Sequence, residues 1–156
     1  LQAFAKVADR SRLLIIGDGD LKDELVKLAE DLQISDRVTF LGARSDVPEF
    51  LSAIDVFVMP SLWEGQPISL LEALAIAKPC IVSAVDGIPE IITDRVNGLL
   101  VTPKNIEQLA QAMNQAIDNP EELRDIADMG AKTISQKFLA QNMAKAIADI
   151  YITLMR

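Results

Sequence analysis

The chain has 156 residues, half of them apolar, with a formal charge of −8 and no histidine. That length and apolar share suffice for one core and one domain, and the acidic balance argues against a nucleic-acid surface, which needs a basic stripe. Histidine-based catalysis or metal ligation is excluded within these residues, and the single cysteine, Cys80, allows neither an intrachain disulfide nor a Cys-rich zinc site. A lone cysteine at the start of an apolar run is expected to be an inert core residue, and its isolation fits a reducing compartment. No apolar stretch reaches the length of a membrane-spanning helix, and no signal peptide is visible.

Leu1, Phe4, Ala5 and Ala8 fall at helical spacing, so the chain is expected to open inside a helix ending near Arg10. That opening has neither a cap nor an initiator methionine, as in a cut through a longer protein. Residues 12–16 read as a buried strand, followed by Gly17-Asp18-Gly19 and a helix over about 21–32 with Leu21, Leu25, Leu28 and Leu32 on one face. A Gly-x-Gly between strand and helix is half of a dinucleotide fingerprint, but Lys22 stands where the third glycine would fall. A tight strand-to-helix turn explains the two glycines equally well. Residues 37–41 form the second expected strand, running into Gly42-Ala43-Arg44, with Asp46 expected to cap a short helix carrying Val47, Phe50 and Leu51.

The third expected strand, 55–59, stops at Pro60 and opens into a short polar loop. Pro67 suits the first turn of the following helix, where its missing N–H has no intrahelical partner, and Leu70, Leu71, Leu74 and Ala75 follow at helical spacing. With the apolar run at 80–84 this makes a βαβ unit, whose ligand site is the loop at the strand's carboxyl end. Unpaired N–H groups and the helix dipole at that point favour phosphate or another anion. Glu64 sits at the rim of this site, and Glu72, with seven residues between the two, lies about two turns into the helix, where a carboxylate can accept from a pair of sugar hydroxyls. Spacing alone leaves both glutamates equally compatible with solvated surface positions. Trp63, just before Glu64, is expected to pack beneath the loop. Ser69 can donate to phosphate or to its own backbone.

Residues 85–89 read as a loop leading to a short helix at Pro89-Glu90, and Val96-Asn97-Gly98 as a turn into a fifth strand over 99–101. A helix starting at 103–105 runs through Ile117, Asn119-Pro120 breaks it, and a second extends from Glu121 to about Lys137. In the last segment, Met143, Ile147, Ile150, Tyr151 and Leu154 form a helical stripe of the kind that belongs to a core, part of which is expected to be exposed where the domain it packs on lies outside this chain. Alternating apolar strands and amphipathic helices give an α/β class with a largely parallel sheet.

The segment PSLWEGQPISLLEALAIAKPCIVS resembles the signature of retaining glycosyltransferases of the GT-B fold, in particular the large family 4. That signature is a strand ending in Pro-Ser, then Glu-Gly, two glutamates with seven residues between them, and Ala-(Leu/Met)-Ala. LLIIGDGDLKDEL, RVTFLGARSDV, IDVFVMPS, DGIPEII and VNGLLV look like the family's other landmarks in the family's order, so the resemblance covers essentially the whole chain.

The resemblance implies a Rossmann-like parallel sheet sandwiched by helices, forming over 1–156 the C-terminal, donor-binding half of a GT-B fold, with an N-terminal acceptor domain outside this chain. It implies transfer of a sugar from a nucleotide sugar to an acceptor such as a glycolipid or polysaccharide, with the anomeric configuration retained. Glu64 would be the catalytic residue, stabilising positive charge at the anomeric carbon or orienting sugar hydroxyls. Glu72 would hold the ribose hydroxyls. The N–H groups of Gly65, Gln66 and Ile68 would meet sugar hydroxyls and phosphate, with Ser69 beside them. Gly17 and Gly19 would let the chain pass close to the donor, and Arg44 with Asp46 would lie on the base side. No metal or cofactor is implied, since the nucleotide sugar is a substrate. The implied partners are that donor and the N-terminal domain, not nucleic acid, and the implied location is the cytoplasm, extending to peripheral contact of the full-length protein with the inner face of the membrane.

Three positions depart from the family. Pro67 and Ala77 stand where glycine is common, and Asp86 replaces the first of two glycines before the Pro-Glu pair. No lysine or arginine lies between Pro60 and Ala77, and the family's phosphate-binding arginine and lysine would precede Leu1. The isolated chain is therefore expected to bind nucleotide weakly and to catalyse nothing alone. Among rival readings, a phosphorylatable receiver domain fails because Asp55 begins its strand instead of ending it. A GT-B sugar epimerase shares the donor contacts, but Glu-x7-Glu followed by Ala-Leu-Ala favours transfer. A non-catalytic nucleotide-binding or assembly module is disfavoured by the intact glutamate pair.

Overall fold

A computed structural model describes residues 1–155; the side chain of Ala140 and all of Arg156, the last residue of the expected domain, lie outside the described residues. Five short strands alternate with helices: β1 (Leu13–Ile16), α1 (Lys22–Asp31), β2 (Val38–Gly42), α2 (Val47–Ala53), β3 (Phe57–Met59), α3 (Ile68–Ala75), β4 (Cys80–Ser83), α4 (Ile88–Ile91) and β5 (Leu99–Val101). Three helices follow, α5 (Ile106–Asp118), α6 (Pro120–Lys137) and α7 (Ala140–Leu154). All strand pairs are parallel, in two ladders, β1–β2 and β3–β4–β5. Parallel strands demand cover on both faces, and β4 shows it, with all four residues buried.

The strand side chains alternate between two cores. Ile81, Leu99 and Val101 join Val38, Ala110, Met113 and Leu123 on one face, which spans strands of both ladders and the inner side of α5. Cys80 and Val82 point the other way, onto Leu70, Leu74, Ile88, Ile92 and Ile134. Burial pushes the Cys80 thiol up to about 12, so it remains an unreactive core group at neutral pH. Helix α3, which carries Glu72, lies against α6 at very close range. A Cβ added at Gly130 of α6 would fall 2.7 Å from Leu74 Cδ2 and 3.1 Å from the Asn97 carbonyl oxygen, so any larger side chain there would have to displace the buried Leu74. Asn97 itself is buried and satisfied, accepting from the Thr93 N–H and donating to the Ile91 carbonyl and Thr133 Oγ1.

Ala77, which stands where glycine is common in the family, closes α3 with a left-handed φ of 54°. A non-glycine residue there costs about 1–2 kcal/mol that glycine would not incur. Lys78, the next residue, donates from Nζ to the carbonyls of Ser52 and Ile54, where the dipole of α2 favours a cation.

Several expectations are corrected. The opening segment is a single 3₁₀ turn, Phe4–Lys6, and not a helix to Arg10; Val7 is already extended. The helical ladder is replaced by distant partners: Arg37 donates from Nη1 to the Val7 and Ala8 carbonyls, and the Ala8 N–H donates to Asn114 Oδ1. Pro67 precedes α3 as its cap residue in extended conformation, instead of occupying the first turn. The apolar stripe of α7 is exposed along its length, from 47% at Ile147 to 78% at Leu154, which goes further than the partial exposure expected of it and leaves none of it in a core of this chain. Among the described residues no helix is long and apolar enough to cross a membrane.

Candidate functional site

In a parallel sheet the carboxyl ends of the strands lie on one edge, and the loops leaving them share that edge. The residues singled out in sequence fall there as two groups, each built by its own strand pair. The first follows β1 and β2. Gly17, with φ 135°, donates its N–H to the Gly42 carbonyl at 2.9 Å and so joins the two loops. That φ is open to glycine and strained for other residues. Gly19 is turned by a hydrogen bond from its N–H to Asp18 Oδ1. Arg44, two residues beyond Gly42, grips Asp46 through Nε (2.8 Å) and Nη2 (2.6 Å) and lies 5.2 Å from the centre of the Phe50 ring. Asp46 is thus an arginine partner and makes no side-chain cap to α2, which corrects the capping expectation. The hydrogen bond from Arg44 holds the Asp46 carboxyl below the usual carboxylate range.

The second group follows β3 and β4. Glu64 is half-buried and accepts from Ser61 Oγ through Oε1 at 2.8 Å, which aims its carboxylate along the loop. Its N–H donates to Asp86 Oδ2, also at 2.8 Å, across to the loop after β4. Beside this bond the two loops touch backbone to backbone: a Cβ at Gly87 would sit 2.6 Å from the Gly65 carbonyl oxygen. Asp86 holds φ 43°. Beyond Glu64, the N–H groups of Gly65, Gln66, Ile68 and Ser69 have no hydrogen-bond partner among the described residues, and Pro67 has no N–H to offer. Helix α3 begins here without a side-chain cap, so its dipole adds to four free donors. Glu72 stands exposed further along α3.

Sequence reasoning passed over two of these contacts. Ser61 belongs to the Pro-Ser that ends the strand, and a hydroxyl three residues before a loop glutamate was the available signal. Asp86 was visible only as a charge near the loop, because its partner is 22 residues away. Trp63 is 76% exposed and does not pack beneath its loop, contrary to expectation. Leu62 and Ile68, flanking it on the loop and at the start of α3, are exposed as well. Chemically, the second group can hold an anion on free amides and place one carboxylate beside it, which is a disposition for binding a polar ligand with separated negative charge and hydroxyls.

Comparison with known proteins bears on that ligand. The profile of the family described as glycosyl transferases group 1 matches residues 1–133. The UDP-Gal:alpha-D-GlcNAc-diphosphoundecaprenol alpha-1,3-galactosyltransferase of Escherichia coli is 33% identical over 146 residues, 93% of this chain and 38% of that protein. The N-acetyl-alpha-D-glucosaminyl L-malate synthase of Bacillus anthracis is 31% identical over 158 residues, all of this chain and 42% of that protein. The chain thus spans about two fifths of the length of these relatives. Among solved structures, Anabaena HepE in complex with UDP matches with a TM-score of 0.90 at 27% identity, covering 97% of this chain and 43% of that one.

Proposed function

This chain belongs to the glycosyl transferases group 1 family, and from that premise we propose that it forms the donor-binding half of a retaining glycosyltransferase using a nucleotide sugar. The observation that carries the proposal is the run of unpartnered N–H groups at Gly65, Gln66, Ile68 and Ser69, set between Glu64 and Glu72 at the carboxyl edge of β3. The UDP and UDP-glucose complexes of the Anabaena neighbour support a uridine donor, and the lipid-linked acceptor in the name of the E. coli relative supports a glycolipid acceptor. An acceptor of that kind would bring the full-length protein to the inner face of the membrane from the cytoplasm.

In this reading the diphosphate lies against the free amides at the start of α3, where four donors and the dipole stabilise the negative charge that grows as the bond to the sugar breaks. Glu72 accepts from the ribose hydroxyls. Gly17, Gly19 and Arg44 line the base side. Glu64, aimed by Ser61, faces the anomeric carbon, whose developing positive charge its carboxylate stabilises without forming a bond. The covalent route of retaining glycosidases needs a second carboxyl suitably placed across the scissile bond; Glu72, held on the ribose, does not supply it. The acceptor hydroxyl then attacks from the face the diphosphate leaves. The fixed cations a diphosphate requires come from outside the segment 60–77, which has none, so the isolated chain binds weakly and transfers nothing.

The test is the stereochemistry of transfer by the full-length protein with UDP-glucose or UDP-galactose, read from the anomeric proton coupling of the product. An α-linked product is expected from these α-linked donors. A β-linked product, or no nucleotide-sugar turnover at all, would overturn the proposal.

A further inference from the structure

Asp86 combines three features that a simple loop residue does not need. It keeps a side chain at φ 43°, a conformation that favours glycine. It spends one carboxylate oxygen, Oδ2, on the N–H of Glu64, the one loop amide there that is not left free. And it does so where Gly87 and Gly65 meet backbone to backbone, so the carboxylate is held against the loop that carries Glu64. Its other oxygen, Oδ1, has no hydrogen-bond partner among the described residues. No lysine or arginine occurs between Lys78 and Arg95, and none between Pro60 and Ala77. The ion pairs of the described residues leave Glu64 and Asp86 unpaired. Two carboxylates thus sit on loops joined by the bond from the Glu64 N–H to Asp86, and neither is ion-paired among the described residues.

Resting on the donor-site reading above, we infer that Asp86 is a specificity-determining residue that restricts the donor to sugars without a carboxylate: neutral hexoses or their N-acetylamino forms, and not uronic acids. Its free oxygen accepts from a sugar hydroxyl or amide N–H. A carboxylate on the sugar would meet Asp86 and Glu64 together, and like charges a few ångströms apart in a partly solvated cleft disfavour each other by about tenfold or more in affinity. The hydrogen bond to the Glu64 N–H makes Asp86 a positioning residue as well, since it fixes the loop from which Glu64 acts.

The experiment measures, for the full-length protein, the affinities of UDP, UDP-glucose and UDP-glucuronate, each sugar's value being referred to that of UDP for the same variant. Wild type is expected to prefer UDP-glucose over UDP-glucuronate by about tenfold. Asp86→Asn, which keeps an oxygen acceptor for the Glu64 N–H but loses the charge, is expected to bring the ratio to within about threefold of unity. Asp86→Gly, which suits the left-handed backbone, reads the same ratio should the asparagine variant not fold, and is expected in addition to lower kcat through the freed loop. An unchanged ratio in a folded variant, or equal wild-type affinities for the two sugars, would overturn the inference while leaving the donor-site reading intact. Failure of UDP itself to bind wild type would overturn both.

Discussion

If Glu64 acts as proposed, replacing it by glutamine in the full-length protein is expected to lower kcat for sugar transfer by about a hundred- to a thousandfold, the range seen when one preorganised electrostatic group is removed from a transition state. Glutamine keeps the volume and can still accept from Ser61 Oγ, and the backbone bond to Asp86 does not involve the side chain. The fold and the affinity for UDP are therefore expected to stay near wild type, so the loss falls on kcat. On the proposed mechanism, what is removed is negative charge opposite a carbon that becomes positive, and this would matter in the transition state far more than in the ground state. A glutamine variant with wild-type kcat would show that Glu64 only orients hydroxyls, or that chemistry is not the slow step. Single-turnover rates separate these two outcomes.

Leu74→Ala is expected to destabilise the domain by about 2–5 kcal/mol. Leu74 is fully buried in α3 and packs where Gly130 of α6 comes closest, so its truncation leaves a cavity between two helices already at minimal separation. Rigid backbone on both sides limits collapse into that space, which places the cost in the upper part of the range. Ile76, 46% exposed at the end of the same helix, is the control: its alanine variant should move stability by less than about 1 kcal/mol. Urea unfolding of the two variants and wild type checks both values. A small effect at Leu74 would mean that α3 is not anchored on α6 in solution, and the free amides at its start would then lack the rigid support the site requires.

Much of the fold was readable in the sequence because parallel strands covered on both faces leave continuous apolar runs, and the five strands fall on those runs. The edge on which a ligand would bind followed from the βαβ order, and the glycines, Arg44 and Glu64 lie in loops at that edge, with Glu72 further along α3. What escaped depends on contacts between residues far apart in the chain. The first ten residues have helical spacing, but Arg37 and Asn114 bind their backbone groups and hold them open. Asp46 is a good cap by type, yet the fork of Arg44 two residues earlier competes for both its oxygens. Trp63 was expected to pack because tryptophan usually does, yet it stands 76% exposed. Asp86 shows the same limit at the site itself, since no local pattern connects it with Glu64.

The central claim is that a nucleotide binds on the free amides at the start of α3 with its ribose on Glu72. The most direct measurement is an amide-shift titration of this 156-residue chain with UDP, in wild type and in Glu72→Ala. The account predicts saturable shifts at Gly65, Gln66, Ile68 and Ser69 and at Gly42 to Arg44, with an affinity that falls at least about tenfold in the variant, as loss of a charged hydrogen-bonding partner implies. Shifts confined to other parts of the chain, or an affinity that the variant leaves unchanged, would contradict it.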